Sequence, residues 1–325
     1  MRYECDQYYP FGCYHNGSGI CSIKDMEEQE YRQMPGLQRR LQSLHEKHII
    51  LSMKKFFKTL WSIAWPVAVY FAMSVVVLLV QSMVVLFQEF YATGTFDLEN
   101  IINSMVEESL ASTGIVCVLA SVMCILIVNA DRKKHPEENE YVYPKILLPS
   151  IIAATGACIF GNMLLSFSGL LENDEAFQMV NEAIMGSEVW LQILVAVLLA
   201  PLTEELLFRG VVYKRIEREY GFWPAAIVSS LLFGALHGNM SQFIYASALG
   251  MLFAYAYHKS GKLSVCIIMH LIANAASLLL DGVVLLFEDP SIYCIVMTVL
   301  GAALLAIGLT IMIKSPAKQS KPLEN

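Results

Sequence analysis

Charge is scarce in this chain. Of 325 residues, 16% are Asp, Glu, Lys or Arg and 56% are apolar, and the mean hydropathy is +0.52. So little charge cannot cover the surface of a water-soluble domain of this length. Basic tracts are missing as well, which argues against nucleic acid as a partner. The eight cysteines form no dense extracellular framework. Five of them (Cys117, Cys124, Cys158, Cys266 and Cys294) sit inside apolar stretches, where cysteine serves as a small hydrophobe. Internal repeats and low-complexity tracts are absent. The first 50 residues hold no apolar core, and the first apolar run is too long for a cleaved signal peptide, so none is expected.

What the chain does have is long apolar segments. Segments of roughly 17–25 residues suffice to cross a bilayer as helices, and about eight are found, near 59–88, 111–130, 146–171, 189–212, 223–239, 241–258, 263–286 and 291–313. The expected fold is therefore all-α, a polytopic transmembrane bundle of about eight helices. Only Gly238–Gln242 separates the fifth and sixth, so their boundaries stay open between two short spans and a tight helical hairpin. All 22 Lys and Arg residues fall on alternate sides of these segments, in the N-terminal region, 131–145, 209–218, 258–262 and the C-terminal tail. Loops near 89–110, 172–188, 238–242 and 287–290 contain none. The positive-inside rule then puts both termini in the cytoplasm.

Three regions follow. Residues 1–50 form a cytoplasmic tail, 51–313 the membrane domain and 314–325 a second cytoplasmic tail. After Pro35-Gly36, Leu37, Leu41 and Leu44 recur at helical spacing, which predicts a juxtamembrane helix. Lys54, Lys55 and Lys58 would then meet anionic lipid head groups. Upstream, Cys5, Cys13, His15 and Cys21 have the ligand types for zinc, but their spacing matches no common zinc pattern and contains no CxxC pair. A mobile tail with reduced thiols is the simpler expectation.

The informative residues are polar groups inside apolar segments. Residues 198–210 read LLAPLTEELLFRG. Two adjacent glutamates in an apolar helix cost several kcal/mol unless paired, protonated or hydrated. Neighbouring positions point about 100° apart, so the two have different surroundings. Glu205 and Arg209 stand four apart with Glu first, the favourable order for an ion pair. Glu204 has Leu207 and Phe208 at i+3 and i+4, no basic partner, and is chemically available. Pro201 removes a backbone hydrogen bond close to one turn earlier and opens the helix there to water. Phe233 and His237 lie one turn apart in the fifth segment, and His270 and Asn274 one turn apart in the seventh.

Depth along each helix can be gauged at 1.5 Å per residue. Glu204 comes out about 13 Å, and His270 about 10 Å, from the cytoplasmic ends of their helices. His237 comes out about 21 Å from Trp223, so tilt or a short fifth helix must close the gap for a common site. Singly, each residue has a plain structural explanation: a Glu pair snorkelling to head groups, a His or Asn bonded to a neighbouring helix. Their joint occurrence in three nearby helices is what packing alone does not predict.

Together they resemble the CAAX-protease and bacteriocin-processing family, which includes the Ras-converting prenyl endopeptidase. EExxxR stands as Glu204, Glu205 and Arg209, FxxxH as Phe233 and His237, and HxxxN as His270 and Asn274, over roughly residues 189–286. The resemblance implies an intramembrane endopeptidase acting on a membrane-anchored protein or peptide, at a site opening toward the cytoplasm. It also extends to bacteriocin maturation and self-immunity. In that reading Glu204 takes a proton from the attacking water, which suits a carboxyl whose pKa burial raises. His237 positions the same water. His270 and Asn274 supply donors to the oxyanion. Glu205, Arg209 and Phe233 support them. Glu204, His237 and His270 also have the ligand types for a catalytic zinc. Without an HExxH pair, metal-independent catalysis is the expectation. A non-catalytic scaffold or immunity protein is an alternative. A proton-coupled transporter is another, though no inverted repeat supports it.

Overall fold

A computed structural model describes residues 35–136, 141–142, 145–283, 290–316 and 319–320. Cys5, Cys13, His15 and Cys21 lie outside the described residues. By compactness the chain divides into Met1–Lys58 and Thr59–Asn325. In the first unit the described residues are helical from Pro35, and the side chains from His45 to Lys58 are all exposed.

The predicted juxtamembrane helix and first span are one helix, α1 (Pro35–Thr93). Proline opens it at a position where its missing N–H costs nothing. The helix continues past Pro66, which is buried. α2 (Leu98–Lys134) is capped by Asp97, whose carboxylate accepts from the Glu99 and Asn100 amides, and ends on Arg132, Lys133 and Lys134, a charge order that suits the helix dipole. α3 (Leu147–Ser168) follows and stops on Gly169 in the left-handed region.

The acidic stretch expected as a plain loop folds into two short helices, α4 (Leu170–Asn173) and α5 (Glu175–Met185). The reason is local. Asp174 caps α5 by accepting from the Phe177 amide at 3.1 Å, and its second oxygen accepts from the Ser241 amide at 2.8 Å. These bonds, the one from Ser241 foremost, hold the Asp174 carboxyl below its ordinary range. A lowered folded pKa gives stability that is complete above the unfolded value, about 3.9, and is lost as pH falls through the folded one. Asp174→Ala is therefore expected to speed amide exchange in α5 and at the start of the helix carrying Ser241 at neutral pH. The difference from wild type should shrink in acid.

One long helix, α6 (Val189–Tyr220), carries the Glu-Glu pair. It runs two turns beyond the expected end, because its last residues find charged partners. Arg215 donates to Asp131 of α2 through Nε at 2.7 Å and Nη2 at 3.2 Å, and also to the Ser62 carbonyl of α1. Lys214 pairs with Glu217 at 3.2 Å. α7 (Phe222–Ala235), α8 (Met240–Ser260), α9 (Leu263–Val283) and α10 (Pro290–Lys314) complete the bundle. A two-residue antiparallel contact, Tyr141–Val142 with Gln319–Ser320, links the segment after α2 to the C-terminal tail.

Among the described residues six helices, α1, α2, α3, α6, α9 and α10, are long and apolar enough to cross a membrane. The fifth and sixth predicted segments exist as helices α7 and α8 but fall short of that standard. α7 has 14 residues, about 21 Å at 1.5 Å each. α8 is long but interrupted by Ser241, Gln242, Tyr245, Ser247 and Tyr257. Helices meet closely where glycine allows it. A Cβ on Gly156 of α3 would fall 2.8 Å from the Gly301 carbonyl oxygen of α10, so those backbones touch. Cys117, Cys124, Cys158 and Cys266 are buried free thiols.

Candidate active site

The Glu-Glu pair stands in a short α-helical stretch, Ala200–Glu205, between two wider π-helical stretches, Ile193–Leu199 and Leu206–Tyr213. π-turns inside an α-helix recur at functional sites. Here the first ends where Pro201 begins, and the Ala200 amide reaches back to the Val195 carbonyl. Proline has no amide to donate, so a change of register at this point is physically reasonable. Thr203 fixes the stretch from its other face. Its hydroxyl contacts Ser121 Oγ at 2.8 Å, the Cys117 carbonyl at 2.9 Å and the Leu199 carbonyl at 2.8 Å.

Glu205 is wholly buried. Its Oε1 accepts from Arg209 Nη1 at 3.0 Å, and both side chains are sealed from solvent. The same oxygen accepts from His270 Nδ1 at 3.0 Å. Beside Arg209 the Glu205 carboxylate can only accept, so Nδ1 of His270 carries a proton and Nε2 is the nitrogen left for chemistry. That Nε2 lies 3.6 Å from Glu204 Oε2. His270 therefore stands between the two glutamates, oriented by one and facing the other.

Glu204 differs from its neighbour as its sequence position implies: its side chain keeps 16% exposure, against 0% for Glu205. Tyr70 of α1 and Cys117 of α2 come within electrostatic reach of Glu204. Sequence reasoning missed both. Tyr70 is the one tyrosine in the apolar run 59–88 of α1, and that signal was available.

Arg209 is held from four sides. Besides Glu205, its Nη2 donates to the Gly250 carbonyl at 3.1 Å, and its guanidinium lies 4.6 Å from the Phe233 ring centroid and 5.4 Å from that of Phe253. A Cβ at Gly250 would sit 3.0 Å from Nη2, so glycine there makes room for the arginine. Phe233 is the hinge of the arrangement. His237 and His270 both meet its ring edge-on, at 5.2 Å and 5.5 Å between centroids.

His237 lies two residues past the end of α7. Its Nδ1 lies 3.0 Å from the Phe233 carbonyl, which leaves Nε2 open. Among the described residues it makes no hydrogen bond to Glu204. Asn274 donates to the Ala196 carbonyl of the first π-helical stretch at 2.8 Å, which leaves its second amide hydrogen and its oxygen. The structure thus joins Glu204, Glu205, Arg209 and His270 directly. His237 reaches them across Phe233, and Asn274 stands one turn beyond His270.

This arrangement does not suit a zinc ion held by Glu204, His237 and His270. Among the described residues no three His, Cys, Asp or Glu side chains are grouped to hold a metal.

Residues 186–276 match the family described as Type II CAAX prenyl endopeptidase Rce1-like. Every motif residue from Glu204 to Asn274 falls inside that segment. A Bacillus subtilis (strain 168) protein named "Putative membrane peptidase YdiL" is 25% identical over 177 residues, 52% of this chain and 72% of that one. An Escherichia coli "Uncharacterized 24.3 kDa protein" is 33% identical over 97 residues, 28% of this chain and 45% of that protein. No solved structure matches the chain.

Proposed function

We propose that this multi-pass membrane protein, whose residues 186–276 match the Rce1-like CAAX prenyl endopeptidase family, hydrolyses a peptide bond of a membrane-associated protein or peptide with a water activated by Glu204. The observation that carries the reading is the pair of unlike glutamates around His270. One is sealed and ion-paired; the other is partly open and 3.6 Å from the imidazole.

Glu204 takes a proton from water as the water oxygen attacks the carbonyl carbon. The carbonyl oxygen becomes an oxyanion. Nε2 of His270, which donates only while both ring nitrogens carry protons, and the spare amide hydrogen of Asn274 are the donors assigned to it. The proton then passes to the leaving nitrogen, the C–N bond breaks, and acid and amine products together equal substrate plus one water. His237 holds the water, whose O–H donates to its open Nε2. Glu205, Arg209 and Phe233 keep His270 in place. The site opens to the cytoplasmic side, on which the charge pattern places the basic loops. A CAAX-type prenylated protein and a bacteriocin-related peptide are the two substrate classes in view.

The test uses purified protein in liposomes with a library of membrane-anchored peptides, and mass spectrometry of the products. Paired fragments summing to substrate plus water, unaffected by chelator, are expected. Cleavage abolished by chelator and restored by zinc would overturn the metal-independent mechanism. A folded protein that cleaves no member of a library containing prenylated and unprenylated peptides would point to a scaffold or immunity role instead.

A further inference from the structure

Beyond the three motifs, one polar chain crosses the apolar interior from helix to helix. It begins at Tyr245 of α8, whose hydroxyl lies 3.3 Å from Asn162 Nδ2 of α3. Asn162 also donates to the Cys158 carbonyl at 2.9 Å, and its amide nitrogen lies 3.6 Å from the Cys158 sulfur. The Cys158 thiol, wholly buried, donates to the Ala273 carbonyl of α9 at 3.1 Å. The next residue of α9 is Asn274, whose amide reaches Ala196 of α6. The chain is packed as well as bonded: a Cβ on Gly161 would lie 2.8 Å from the Tyr245 ring.

Consecutive residues of α9 are therefore strapped to different helices, Ala273 to α3 and Asn274 to α6. Consecutive positions point about 100° apart, so the two straps pull on different sides of α9. A rotation of α9 about its axis would break both. That rotation also decides where His270 and Asn274, one turn apart on one face, are aimed.

We propose that the Tyr245–Asn162–Cys158 chain is a positioning device, which fixes the rotation of α9 and with it the aim of His270 and Asn274 at the reacting carbonyl. The proposal rests on the endopeptidase reading and adds to it three residues outside the motifs, two of them outside the matched segment.

Tyr245→Phe removes only the hydroxyl, and Cys158→Ala only the thiol donor. Both are expected to lower kcat about ten- to a hundredfold with KM unchanged, the cost of slight misplacement. Cys158→Ser, which still donates to Ala273, should restore most of the rate. In an Asn274→Ala background Tyr245→Phe should cost less than in wild type, because one of the two groups it aims is then gone. A purely structural role would instead give additive losses, a parallel fall in thermal stability and no rescue by serine. Amide exchange supplies a readout independent of cleavage: the Tyr245→Phe change should speed exchange in α9 and leave α2 unchanged. If wild type cleaves and both variants keep its rate within about twofold, the device is refuted while the endopeptidase reading stands. If wild type does not cleave, that reading fails, and unaltered exchange in α9 would refute the strap as well.

Discussion

Replacing Arg209 with methionine is expected to destabilise the folded protein by about 3–5 kcal/mol, the usual cost of stripping one partner from a buried ion pair. The size follows from the surroundings. Glu205 is sealed, its Oε1 carries both polar contacts, and its Oε2 already has no hydrogen-bond partner among the described residues. Without the guanidinium its charge would be left in an apolar interior with one imidazole donor. Methionine keeps much of the volume between Phe233 and Phe253, so the loss reports the charge more than a cavity. The double variant Glu205→Gln with Arg209→Met should recover most of the stability, since no charge is then orphaned. Thermal melting of the detergent-solubilised protein reads both. Equal melting of Arg209→Met and wild type would show that the pair does not hold the bundle.

Replacing His270 with alanine is expected to cost about 10²–10³-fold in kcat, the scale of removing one oxyanion donor. The fold should survive, because Glu205 keeps Arg209. KM should change little, since the imidazole is assigned to the transition state and not to substrate binding. His270 is 4% exposed and spans both glutamates, so no neighbouring side chain is placed to substitute for it. A loss confined to KM would move His270 from chemistry to substrate binding.

Much of this was legible in the residues. The Glu205–Arg209 pair follows from i, i+4 spacing with glutamate first, and the 3.0 Å contact has that geometry. The different surroundings of Glu204 follow from Leu207 and Phe208 standing where a cation would. Long apolar runs located the membrane helices, although only six reach crossing length with enough apolarity among the described residues.

Other features depend on contacts far apart in sequence. His270 and Glu205 are 65 residues apart, and helical spacing within either segment is silent about their hydrogen bond. The extra turns of α6 depend on Arg215 meeting Asp131, 84 residues away. α4 and α5 depend on Asp174 finding the Ser241 amide as well as capping its own helix. The π-helical stretches were half visible, in Pro201 alone. Hydrophobicity also gave no warning that Asn162 and Tyr245 would meet, since each reads singly as helix-packing polarity.

The most direct test of the account is single-turnover cleavage of one membrane-anchored peptide by wild type and by Glu204→Gln in matched liposomes. The exchange keeps size and hydrogen-bonding capacity and removes the base. A fall of about 10²–10⁴-fold, with melting behaviour unchanged, is the predicted result. Cleavage by Glu204→Gln within about twofold of wild type would contradict the account, because no other carboxylate in the site is partly open and lies beside His270.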